Sequence, residues 1–234
     1  MEDDNLILNF SGDLEVFKIK KIFIEKIKIK NNEFHCSRAN KLSNNKIFGD
    51  GYDDFRIYLY EKNEIKQDKK LWITFDSFKN FKIINENEIA FCHTIINKFF
   101  WNSEFITFYD IKYKTEQKLK LGNYDFFHVY NILLINHYLV MVCNDKILLI
   151  DINKKTIINN LKYDKKISSM ISLNEKTFLI NNSKDNILYL FEIKSNEIKL
   201  KEEKEDNYYG IIKYPGNILI SNKDNKSIVI YGQK

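Results

Sequence analysis

The chain has 234 residues, a formal net charge of +5, and 44% apolar and 15% aromatic residues. That balance excludes a disordered chain, and the length is enough to bury a core without disulfides. Nearly all the positive charge is lysine, with arginine only at Arg38 and Arg56, so the bidentate contacts by which nucleic-acid readers work are scarce.

In chain order the sequence reads as a succession of tight hairpins. The first pairs residues 6–8 with 14–17 (LEVF) across Ser11-Gly12-Asp13, and residues 22–29 (IFIEKIKI) follow, alternating apolar with charged side chains. The second pairs Ile47-Phe48 with 56–60 (RIYLY); residues 72–75 are its expected outer strand, after an insertion. In the third, 81–84 precede the hairpin of 89–91 with 105–109 (FITFY), and 118–121 follow. The fourth runs 129–135, 139–142, 147–150 (ILLI) and 157–161. The fifth runs 167–171, 178–180, 187–191 (ILYLF) and 198–200. The sixth has 209–212, 218–220 and 228–231 (IVIY). The turns between hairpin strands are rich in Asn, Asp, Ser and Gly, the residues that accept turn geometry.

Aligned on the last apolar residue of the second hairpin strand, the units place Phe17, Tyr60, Tyr109, Ile150, Phe191 and Tyr231 in register, at intervals of 43, 49, 41, 41 and 40 residues. A period of about 40–45 is that of a four-stranded propeller blade. An acidic residue follows four of them, as Glu61, Asp110, Asp151 and Glu192. The units resemble degenerate WD40-type repeats. Phe108-Tyr109-Asp110 and Leu190-Phe191-Glu192 fall where that family has its Trp-Asp pair, and Ser183-Lys184-Asp185 and Ser11-Gly12-Asp13 resemble its turn. No unit has Trp-Asp or Gly-His, so the family's His–Ser–Asp–Trp network is incomplete.

The fold class is all-β: a β-propeller of about six four-stranded blade units with incomplete end units. The first lacks its inner strand and the last its outer one. One domain spans residues 1–234, as a whole or as part of a longer propeller. Another all-β solenoid or sandwich remains the alternative.

The chemistry-bearing residues are sparse. His35, His93, His128 and His137 are dispersed, and no Cys-x-x-Cys occurs among Cys36, Cys92 and Cys143. Cys92 and His93 are neighbours, which on a strand point to opposite faces. The acidic turn 49–54 has the oxygens a hard cation wants but not the spacing of a Ca²⁺ loop, and reads as a plain turn. No phosphate-cradling glycine motif or nucleophile elbow is present. No cofactor or metal is expected. The odd, widely spaced cysteines, the acidic start MEDDNLILNF and the lack of a long apolar run lead to a cytoplasmic or nuclear assignment, with structural, unpaired thiols.

These features imply a non-catalytic protein–protein interaction platform. The alternatives are a propeller enzyme and a lysine-rich propeller that binds an anionic surface, either a phosphoinositide membrane or a nucleic acid; membrane and nucleic acid are disfavoured as partners. The candidate partner-binding residues are Lys98, Phe99, Phe100, Trp101 and Asn102. They lie in the one long hairpin, where residues 94–101 (TIINKFFW) are extra between the two strands. Two readings stand: the strands are longer and the aromatics fill the core, or the aromatics form an exposed tip on which a protein docks.

Overall fold

The computed structural model describes residues 4–10, 13–19, 24–27, 31–32, 38–43, 46–50, 55–61, 64–71, 77–95, 103–123, 129–143, 145–165, 167–182, 184–205, 208–214, 217–222 and 228–232. All regular structure among them is β. The chain divides into two compact units: Met1–Asp76 with Asn85–Glu88, and Ser77–Ile84 with Ile89–Lys234.

The first unit holds two sheets. One has three strands, β1 (Asp4–Phe10), β2 (Asp13–Ile19) and β3 (Ile24–Ile27). The other has five: β4 (Asn31–Asn32), β5 (Arg38–Ser43), β6 (Lys46–Asp50), β7 (Phe55–Glu61) and β8 (Glu64–Leu71), in the order β4-β8-β7-β6-β5. Among the described strands of this sheet, only β4 on β8 is parallel.

The second unit holds four sheets, each antiparallel with neighbours consecutive in the chain. They are β9 (Ser77–Asn85), β10 (Glu88–Ile95), β11 (Ser103–Asp110) and β12 (Thr115–Asn123); β13 (Val129–Ile135), β14 (Tyr138–Cys143), β15 (Lys146–Asp151) and β16 (Thr156–Lys162); β17 (Ser169–Ser172), β18 (Thr177–Asn182), β19 (Ile187–Lys194) and β20 (Glu197–Glu205); and β21 (Tyr208–Tyr214), β22 (Asn217–Asn222) and β23 (Ile228–Gly232). The first and last sheets of the chain have three strands each among the described residues.

The period-2 alternation of the strands places each core. In β14, Leu139, Met141 and Cys143 face the third sheet and pack with Ala90, Cys92, Ile106 and Phe108, while Val140 and Val142 face the fifth sheet and pack with Phe178, Ile180, Tyr189 and Phe191. In β18 the division repeats: Phe178 and Ile180 look back, while Leu179 packs with Ile211 of β21. A sheet buried on both faces needs continuous apolar runs, which is why YLVMVC and ILLI show little alternation. Each fully buried aliphatic or aromatic side chain contributes about 1.5–3 kcal/mol.

Edge amides also join successive sheets. On the outer side the Ile198 N–H donates to Asn159 Oδ1 at 3.2 Å, and on the inner side the Ile211 N–H donates to Ser169 Oγ at 3.2 Å.

The repeated acidic residue at the end of the second hairpin strand is a turn cap. Asp110 Oδ1 accepts from the backbone N–H groups of Lys112 and Tyr113, both at 2.8 Å, and Asp151 Oδ1 accepts from those of Asn153 and Lys154 at 2.9 and 3.0 Å. Each turn closes on a lysine in the left-handed region, Lys114 (φ 57°) and Lys155 (φ 53°). Glu192 instead pairs with Lys201 at 3.4 Å and leads into a tighter turn through Ser195 and Asn196, both at positive φ.

Two sequence expectations change. The outer strand of the second sheet is β8 rather than residues 72–75, which lie outside the described residues. Among the described side chains of β8 (EIKQDKKL), Ile65 and Leu71 are in the core and Lys66, Gln67 and Asp68 are exposed, so it carries little apolar signal. The unit alignment also shifts. Leu6 pairs with Phe17, Leu139 with Ile150, Phe178 with Phe191 and Ile218 with Tyr231, but the matching Ile47 pairs with Tyr58. Tyr58, 41 residues after Phe17, therefore holds the equivalent place. Tyr58 is fully buried and Tyr60 only half-buried. Tyr109, Ile150 and Phe191 are buried; the side chains of Phe17 and Tyr231 lie outside the described residues.

Candidate functional site

The long hairpin is β10–β11. Thr94 and Ile95, expected in its connection, continue β10, and β11 starts at Ser103. Part of the extra length is thus strand, and residues 96–102 form the connection, the longest of the six hairpin connections. Lys98, Phe99, Phe100, Trp101 and Asn102 all lie outside the described residues.

Beneath that connection the hairpin carries buried polar groups. Neighbours on β10 point to opposite faces, yet both His93 and Thr94 are buried. The Thr94 hydroxyl donates to the buried Glu104 carboxylate, 2.8 and 2.9 Å from its two oxygens. On the other face His93 Nε2 and Thr107 Oγ1 share a hydrogen bond of 2.9 Å, and the imidazole lies between the rings of Phe91 and Phe105, at 5.4 and 5.9 Å. Buried polar groups persist where partners are in place, and such a network fixes one arrangement. Pairs of this kind are long-range in sequence, and neither was legible beforehand; two successive polar residues at the end of an apolar run were the available sign.

The thiols beside this base are inert. The Cys92 S–H donates to Met141 Sδ at 3.2 Å, and Cys92 and Cys143 are both free and buried. Burial pushes the Cys92 thiol well up, with Cys143 and Glu104 adding to it, and pushes the Cys143 thiol up to about 12. Cys36 lies outside the described residues. Among the described residues no group of three or more His, Cys, Asp or Glu could hold a metal, and no helix is long and apolar enough to cross a membrane.

A second polar cluster lies at the corresponding end of the fifth sheet. Asn182 Oδ1 accepts from the Lys184 and Asp185 N–H groups at 3.1 and 3.2 Å, and its Nδ2 donates to Asp185 Oδ2 at 2.7 Å. Nearby, the Lys165 ammonium donates to the Tyr189 hydroxyl.

The chain is similar in fold to solved structures. The β-propeller domain of Cps50 (Swd1) from Myceliophteria thermophila matches over 94% of this chain and 76% of its own, with TM-score 0.63 and 11% identity. The fold is a β-propeller. A candidate 6-phosphogluconolactonase from Bacteroides fragilis matches this propeller over 98% of the chain and 76% of its own, with TM-score 0.66 and 8% identity. The computationally designed protein Ika8 matches over 97% and 70%, with TM-score 0.57 and 7% identity. No family model and no curated protein matches the chain. Asp110 and Asp151 cap the turns at the ends of successive units of this propeller.

Proposed function

We propose that this propeller is a non-catalytic platform on which a protein docks through the β10–β11 connection, with Phe99, Phe100 and Trp101 as anchors and Lys98 and Asn102 beside them. The observation that carries the reading is the base of that hairpin. The longest connection rests on strands locked by the buried Thr94–Glu104 and His93–Thr107 pairs. A rigid support under a cluster of large aromatics lowers the ordering cost of binding. The likeness to the Cps50 domain supports a scaffold fold.

The test is the double variant Phe100→Ser with Trp101→Ser. Loss of two aromatic anchors should weaken capture of a lysate partner by about thirtyfold or more, at unchanged melting temperature. A large drop in melting temperature would mean that the residues fill the core, and would end the reading.

A second reading is enzymatic, favoured by the likeness to the candidate lactonase. It is tested by hydrolysis of 6-phosphogluconolactone, and turnover by the full chain would displace the platform. The anionic-surface reading gains less support. Lys66, Lys118, Lys199 and Lys201 each pair with a glutamate within 3.4 Å, which neutralises the lysines locally.

A further inference from the structure

Lys165 stands in the segment between β16 and β17. Its ammonium sits over the face of Tyr189, 4.7 Å from the ring centroid, and also donates to the Tyr189 hydroxyl. The ring is otherwise enclosed: Tyr189 is 2% exposed, with Tyr163 edge-on at 5.7 Å and Phe191 at 6.3 Å. The acidic groups Asp185 and Glu203 act on Lys165, and the same two act on the Tyr163 hydroxyl, joined there by Asp164. The Lys165 ammonium is raised first by its hydrogen bond to the Tyr189 hydroxyl and the Tyr163 phenol first by burial, and these acids add to both; Glu203 stands directly opposite Tyr189 across the β19–β20 ladder, so the ammonium and the phenol share an acidic neighbourhood.

That neighbourhood has an unused polar atom. Tyr163 is 6% exposed, and among the described residues its hydroxyl has no hydrogen-bond partner. A buried phenol without a partner is costly. An aromatic face, a hydroxyl acceptor on the same ring and Glu203 opposite that ring on the neighbouring strand make up the chemistry that takes a cation on a short alkyl stem. An anion would meet the field of Asp185 and Glu203.

We propose that this cluster is a recognition site for a primary alkylammonium group, and that Lys165 is its resident internal occupant. Lys165 is half-buried and reaches the site from a connecting segment, so its ammonium is a displaceable plug. An incoming lysine side chain or free amine takes the same place, with its ammonium over Tyr189 and its hydrogen bond to the Tyr189 hydroxyl. The inference rests on the platform reading only for the partner that would supply a lysine; the site itself stands on its own residues.

The experiment uses the full chain with Lys165→Ala, titrated with n-propylammonium chloride and followed by NMR shifts and melting temperature. Saturable binding that restores the melting temperature is expected, while sodium chloride and n-propanol at equal concentration leave both readouts flat. Adding Tyr189→Leu should weaken the binding at least about tenfold. Equal responses to sodium and propylammonium, or binding unchanged by Tyr189→Leu, would overturn the proposal. If Lys165→Ala does not fold, Lys165→Ser is read in the same way, and absence of saturable binding there overturns it. A capped lysine that binds more tightly than propylammonium indicates a protein source; equal affinity indicates a free amine. The aromatic tip does not enter this titration, so the site and the platform fail separately.

Discussion

Phe191→Ala is the sharpest probe of the packing between the fourth and fifth sheets. The ring is 2% exposed, stacks on Phe178 at 5.2 Å, meets Tyr163 edge-on at 6.0 Å and lies against Val140, Val142 and Leu149. Its neighbours sit on two sheets held by backbone ladders with single irregularities at Leu190/Phe191 and Leu149/Ile150, which limits their collapse into the space. A Phe→Ala change at a site that stays open costs about 3–5 kcal/mol. Each aromatic pair contributes about 0.5–1.5 kcal/mol within that total. For a chain of this size about 4 kcal/mol lowers the melting temperature by about 8–16 °C. Urea titration followed by circular dichroism measures the loss directly, and Phe191→Leu, which keeps most of the volume, should lose under half as much. A cost below about 1 kcal/mol for Phe191→Ala at unchanged m would show that the site is not the sealed inter-sheet contact described.

The corrected alignment makes a paired prediction: Tyr58→Ala should cost about 3–5 kcal/mol and Tyr60→Ala about 1–2 kcal/mol in the same titration, and the reverse order would restore the original register. Asp151→Ala removes two backbone hydrogen bonds and should cost about 1–2 kcal/mol at neutral pH. Burial alone would raise the Asp151 carboxyl, but the Lys154 and Asn153 N–H groups, helped by the Lys154 charge, outweigh it and hold it below the usual carboxylate range. With a folded value depressed below the unfolded one near about 3.9, its contribution is full above that unfolded value and is lost as pH falls through the folded one. The gap between parent and variant should therefore close on acidification below about pH 4, and a gap independent of pH would refute the cap.

The hairpins were legible because each has two apolar runs around a polar break, and β13 matches the expected 129–135 residue for residue. What escaped were strands with few apolar anchors. β5 (RANKLS) buries Leu42, and β8 buries Ile65 and Leu71; the backbone ladder forms them, with little help from side-chain pattern. The Tyr60 misalignment came from counting to the last apolar residue: β7 runs past the end of its pairing with β6, so the apolar run outlasts the repeat. At the candidate site, the aromatic cluster was visible in the sequence, and the buried Thr94–Glu104 pair was not, since it joins residues across the strand ends.

The two edge-amide bonds, Ile198 to Asn159 and Ile211 to Ser169, bear on how the second unit comes apart. In a stacked array each sheet has its own stability plus a coupling to its neighbours. Here the coupling has an apolar part and a polar part at the sheet margins, and both must break together. A sheet that melted alone would strand an edge N–H at its neighbour's margin and uncover that neighbour's core face. The fifth sheet, tied to the fourth at its outer margin and to the sixth at its inner one, is the keystone of that cooperativity. The three-stranded sixth sheet has one such tie among the described residues, to the fifth.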